Sequence, residues 1–174
     1  MTRKGDRLAR AYIATQMEGL GLEPAGPDGS WFQPFDIVGV NSRNPEKTLF
    51  RRGSDSVELR YHDDFIANSG VHTPEGRIED AELVFVGYGI VAPEYGWDDF
   101  KGVDLKGKVL VVMNNDPEHD AKLFAGKTRL YYGRWTYKYE QAARTGAVGA
   151  IIVHTTPSAG YGWQVVQTSW SGEQ

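Results

Sequence analysis

An α+β fold rich in short strands is what this 174-residue sequence predicts, on three observations. The chain carries 21 glycines, enough to place a turn between many short elements. It carries 5 Trp, 9 Tyr and 7 Phe, large side chains that favour strands and fill the core between them. Two apolar runs, 108–113 and 147–153, bracket a segment with helical periodicity, which is a βαβ-like unit.

The elements follow in chain order. Residues 5–20 read as a helix, with Leu8, Ala9, Tyr12, Ile13, Met17 and Leu20 inside about half of a 100° wheel. Gly19, Gly21 and Pro24 end it, because glycine accepts the left-handed cap and proline cannot continue the ladder. The wide apolar face needs a partner. A turn cluster, AGPDGS at 25–30, marks a boundary. The next run, 31–40, is expected to be a strand, with Pro34 placing it at an edge or bulge. Short strands are expected at 48–51 and 57–62, and a longer one at 82–93, bent at Gly87 and Gly89. DLKGK at 104–108 is a turn with Gly107 at positive φ, and it feeds the strand 108–113. A helix over 134–145 follows, its face drawn through Trp135, Tyr139, Ala142 and Ala143, with Gly146 as its cap. The strand 147–153 closes the unit. Beyond it the polar, glycine-containing segment 154–174 is expected to hold no strand or helix.

Composition narrows the function classes. A net charge of −4 argues against a nucleic-acid partner. No apolar run approaches the roughly 18 residues of a membrane span. The chain has no cysteine, so disulfides, thiolate zinc sites and cysteine nucleophiles are excluded. The start, MTRKGDRLARAYIATQ, is basic and amphipathic and has no apolar signal-peptide core.

The segments GVDLKGKVLVV (102–112) and AARTGAVGAIIV (142–153) resemble the protease-associated (PA) domain. There a D-x-x-GK turn and strand lead through an alanine-rich helix to a GA-x-GAI-type strand. The flanks extend the likeness. GDRLARAYIATQMEGLGLEPAGPDGSWFQPF (5–35) and LVFVGYGIVAPEYGWDDFKGVDLKGKVLVVMNNDP (83–117) resemble a bacterial zinc aminopeptidase of metallopeptidase family twenty-eight, as does the stretch from 131 to 174. The likeness weakens over 41–80. In that family the PA domain is inserted near the start of a catalytic α/β domain. The resemblance therefore implies that residues 1–24 carry one amphipathic helix of a peptidase domain otherwise missing here. Residues 25–174 would be a PA-type β/β/α insert of short strands with flanking helices, incomplete at its C-terminal end. The family's ligands for two zinc ions come after the insert, so no cofactor is expected in this chain. The partners implied are the chain's own peptidase domain and a peptide substrate, with an extracytoplasmic location, periplasmic or secreted.

Local constellations that could carry chemistry each have a plainer reading. His62 and Asp64 spell His-x-Asp, yet zinc wants three or four convergent ligands, so a polar strand end is favoured. Asn114, Asn115, Asp116, Glu118, His119 and Asp120 could offer oxygens to calcium, but lack the glycine-hinged order of an EF-hand. Adjacent Asp98 and Asp99 are expected to point apart. Gly87-Tyr88-Gly89 lacks the third glycine and the following helix of a dinucleotide loop. Ser158 and Ser171 have no nucleophile-elbow context. The aromatic residues Tyr131, Tyr132, Trp135, Tyr137, Tyr161, Trp163 and Trp170 are either core or a contact surface for substrate or a neighbouring domain. The expectation is a chain without catalytic or metal-binding residues that shapes access to a peptidase cleft. The alternative is a free-standing PA-like module that binds a protein or peptide.

Overall fold

The computed structural model describes residues 4–71 and 73–172. It is a mixed α+β structure in two compact units, Met1–Gly39 and Val40–Gln174. More residues lie in helices than in strands, so the expected strand-richness is not found.

The first unit is built on α1 (Lys4–Gly19). Asp6 lies in its first turn, where a carboxylate complements the helix dipole, and pairs with Arg10 at 3.2 Å. The C-terminus closes as a Schellman motif. Gly21 has φ +76°, its N–H donates to the Glu18 carbonyl at 2.9 Å, and Leu22 N–H donates to Met17 at 3.2 Å. None of the helix's residues is buried, and Leu8, Tyr12, Ile13, Met17 and Leu20 are all exposed. After a 3-10 turn at Pro27–Gly29 the chain runs without regular structure. The strand expected over 31–40 is absent. Pro34 removes a ladder donor, no described strand pairs with the segment, and Phe35, Ile37 and Val38 are exposed.

The second unit opens with an antiparallel hairpin of β1 (Lys47–Arg52) and β2 (Asp55–Arg60), joined by Gly53 at φ +59° and Ser54. Its centre is a parallel three-stranded sheet. β3 (Leu83–Phe85) and a last strand, β7 (Gly149–Val153), flank β6 (Val109–Met113), with Leu83 beside Val109 and Val109 beside Gly149. A small pair, β4 (Val91–Ala92) and β5 (Trp97–Asp98), wraps a 3-10 turn at Pro93–Tyr95. The single bent strand expected at 82–93 is thus two strands. Gly87 and Gly89 adopt φ +57° and +63° between them, and a Cβ on Gly89 would lie 3.0 Å from Val112. The 104–108 turn forms as expected: Asp104 accepts from Lys106 N–H at 3.0 Å and Gly107 has φ +75°.

Helix α2 (Trp135–Arg144) crosses between β6 and β7 and ends at Gly146, φ +70°. Its buried face is Tyr137, Lys138, Gln141 and Ala142, with Tyr139 exposed. That is rotated from the face expected through Trp135, Tyr139, Ala142 and Ala143. Two polar residues inside the true stripe hide it from an apolar count. Beyond β7, where no element was expected, stand α3 (Thr156–Ala159) and α4 (Trp163–Trp170). Thr155 caps α3 through Ser158 N–H, and Trp163, Val166 and Trp170 recur at i, i+3, i+7 in α4. Two clusters fill the unit. Val86, Phe100, Leu105, Leu110, Val112 and Ala142 pack on the parallel sheet. Ile90, Ala92, Phe124 and Tyr137 form the second, ringed by Tyr88, Tyr95, Trp97 and Tyr132.

Candidate functional site

The three parallel strands bring their carboxyl ends to one edge of the sheet. Open sheets with parallel strands hold ligands outside that edge, in the loops that follow the strands. Here the loops are 86–90 after β3, 114–117 after β6 and 154–158 after β7.

That edge is filled by the chain's own polar groups. Asn114, Asp116 and Lys138 are 1 %, 2 % and 1 % exposed. Asn114 Oδ1 accepts from Trp135 Nε1 and from Asn115 N–H, each at 2.9 Å. Asn115, at φ +77°, turns its own Oδ1 to Arg129 Nε at 2.9 Å, and the guanidinium also donates to the Ser158 carbonyl. Asp116 Oδ2 accepts from Leu130 N–H at 2.9 Å. Lys138 Nζ donates to the Tyr88 carbonyl at 2.5 Å. Burial raises the Asp116 carboxyl above its ordinary value against the pull of these donors and of Lys138 and Arg129. Burial also lowers Lys138 to about 8, although Asp116 and Asp99 favour its charge. Gly133 seals the arrangement, since a Cβ there would sit 2.8 Å from Arg129 Cγ and 2.9 Å from Asn115 Oδ1. The hollows best formed among the described residues lie elsewhere, beside α1, with volumes of about 170 and 420 Å³.

The seven aromatic residues fall into separate places. Tyr137 is 4 % exposed and its hydroxyl bonds both the N–H and the carbonyl of Val91 at 3.2 Å. It belongs to the core, because the buried face of α2 runs through it. Tyr132 is half-buried, edge-on to Phe124 and to Tyr137 at 5.5 and 5.1 Å. Its hydroxyl donates to the Glu94 carboxylate, which pushes the phenol up to about 12. Tyr131 is exposed and bonds Glu140 at 2.7 Å. Trp135 and Trp170 meet at 5.7 Å, with Trp170 exposed. Tyr161 and Trp163 flank the His154 ring at 5.4 and 5.7 Å. Trp163 Nε1 and Gln167 Nε2 both donate to the His62 carbonyl, at 3.1 and 2.8 Å. His154 Nε2 is buried with no hydrogen-bond partner among the described residues, and burial lowers the imidazole's pKa. The structure therefore offers Tyr131 and Trp170 as exposed and Tyr132, Trp135, Tyr161 and Trp163 as half-buried aromatic surface, with Tyr137 buried, and no single seven-residue patch.

The other constellations resolve into backbone chemistry. Asp64 accepts from Arg60 N–H at 2.8 Å, beside His62 at φ +73°. Asp98 and Asp99 accept from the N–H of Phe100 and of Ile90, at 2.9 and 3.0 Å, and so point to different partners. Of the 114–120 group, Asn114 and Asp116 are buried while Glu118, His119 and Asp120 are exposed. Ser158 accepts from Thr155 Oγ1 at 2.8 Å, and Ser171 donates to the Gln167 carbonyl. Among the described residues no group of three or more His, Asp and Glu could hold a metal ion. No described helix is long and apolar enough to cross a membrane. The residues that sequence reasoning missed are Lys138, Arg129 and His154. Lys138 was legible only as a lysine at i, i+4 from Ala142.

No family model matches this chain, and neither does any curated protein or solved structure.

Proposed function

We propose that this chain is the non-catalytic, PA-type portion of a zinc aminopeptidase resembling metallopeptidase family twenty-eight, acting in an extracytoplasmic compartment on access to a peptide cleft. The observation that carries the reading is the filled carboxyl edge of the β3–β6–β7 sheet. An α/β enzyme keeps that position open for substrate. Here Asn114, Asp116, Lys138 and Trp135 occupy it and bond one another's loops. The parallel strand pair joined by α2, with the D-x-x-GK turn before it and Gly146 after it, agrees with the PA-like motifs. The open apolar stripe of α1 suits a helix that packs on a further domain. Two zinc ions, implied by the resemblance, find no fitting ligand set among the described residues. Their ligands would come from sequence after residue 174.

The test has two parts. Genomic sequence read past the codon for Gln174 is expected to continue in frame into His-x-Asp and Glu-Glu motifs. The purified, tag-free 174-residue chain is expected to carry no stoichiometric zinc and to leave aminoacyl-nitroanilides intact. Turnover or a tight zinc would sink the reading. The exposure of Tyr131 and Trp170 favours a second reading, a free-standing peptide- or protein-binding module. A stop codon directly after Gln174 would favour it.

A further inference from the structure

Lys138 is the buried cation at the centre of the closed edge. It stands on α2, is 1 % exposed, and its Nζ donates to the Tyr88 carbonyl at 2.5 Å. An ammonium has three donors and no acceptor. Among the described residues the Tyr88 carbonyl is the only hydrogen-bond acceptor of Nζ, and Lys138 forms no ion pair. The faces of the Tyr88 and Tyr137 rings, each 5.9 Å from Nζ, give partial compensation. A charged group so placed is under-solvated, whereas a neutral amine needs fewer partners.

We infer that Lys138 is a proton-linked clasp: closing the 87–90 and 114–116 loops over α2 traps an ammonium, and the closed arrangement tightens when that ammonium loses its proton. The inference is independent of the peptidase reading. The charged groups facing the amine are Asp116 and Asp99, which favour the ammonium, and Arg129, which opposes it. The neighbouring phenols of Tyr88 and Tyr137 are raised, chiefly by burial, so they keep their protons through mildly alkaline solution. Burial brings Lys138 in the folded chain down to about 8, below the 10.5 of an exposed lysine. Between those values the unfolded chain binds more protons than the folded one. The Lys138 contribution to stability therefore rises with pH across that window and is lowest once Lys138 is fully charged below it.

Urea denaturation of the full chain tests this. From pH 7.5 to 9.5 the Lys138 contribution, read as wild type relative to Lys138→Met, should lower the unfolded fraction about twentyfold, the linkage of one proton between those two values. The raised phenols pull the other way as pH nears their unfolded value and cancel in that comparison. Lys138→Met, which fills the same space without a charge, should remove the Lys138 contribution. NMR of the Lys138 ε-carbon should show a midpoint of about 8. The clasp is overturned by a stability difference between wild type and K138M that stays flat over this range, or by an ε-carbon midpoint at the ordinary lysine value. If K138M does not fold, the wild-type ε-carbon titration decides alone.

Discussion

At the scale of single residues, the closed edge depends on groups that can be removed one at a time. Trp135→Phe keeps the ring against Trp170 and deletes the Nε1 donor to Asn114. Asn114 retains the Asn115 N–H on the same oxygen, so the expected loss is about 1 kcal/mol. A urea midpoint unchanged from wild type would count against the network. Gly133→Ala should cost more, roughly 2–3 kcal/mol, because the new methyl meets Arg129 Cγ and Asn115 Oδ1 below 3.0 Å and displaces the hydrogen bond between them. By contrast, Tyr132→Phe removes a hydroxyl whose Glu94 partner faces water, and it should change stability by less than about 0.5 kcal/mol. Sequence reading located this region but not its chemistry. Asn114 and Asp116 read as a polar loop, because nothing in a linear pattern tells a solvated asparagine from one held by a tryptophan 21 residues away.

At the scale of elements, α1 and α2 show why periodicity succeeded in one respect and failed in another. Both helices lie within two residues of their expected bounds, because Gly21 and Gly146 take the left-handed conformation that ends them. The buried face of α2 was misread, since burial of Lys138 and Gln141 depends on the loops that cover them. Helix α4 was missed although its Trp–Val–Trp spacing is helical, because the flanking glycines and serines read as a loop. The strand expected at 31–40 failed for want of a pairing partner among the described strands. α1 has a sound cap and an ion pair but no buried residue. A helix of this length is marginal without tertiary packing. Its amides should therefore exchange with solvent at least about a hundredfold faster than those of β6, whose Leu110 and Val112 are fully buried. Equal protection of α1 and β6 in a hydrogen-exchange experiment would show that the helix is held by contacts of its own.

At the scale of the whole molecule, what could be read was the order of elements around the 102–154 unit. What could not be read was the closing of the sheet's carboxyl edge, which needs residues 88, 116, 129, 138 and 158 brought together by the fold. The same arrangement decides where stability resides. Among the described residues, every buried hydrophobic side chain lies between Val86 and Val166, inside the unit Val40–Gln174. Hydrophobic burial is the dominant favourable contribution to folding, at about 25 cal/mol per Å² of apolar surface removed from water. A unit that holds both core clusters should then fold without the other. A chain beginning at Val40 is expected to unfold in one cooperative step, with a stability within about 1 kcal/mol of the full chain. Leu110→Ala, made in the same shortened chain, should cost about 2–5 kcal/mol, because its side chain is fully buried in the cluster that also holds Val86, Phe100 and Ala142. Loss of cooperative unfolding on removing residues 1–39 would place part of the stabilising core in the first unit, against the burial seen in α1.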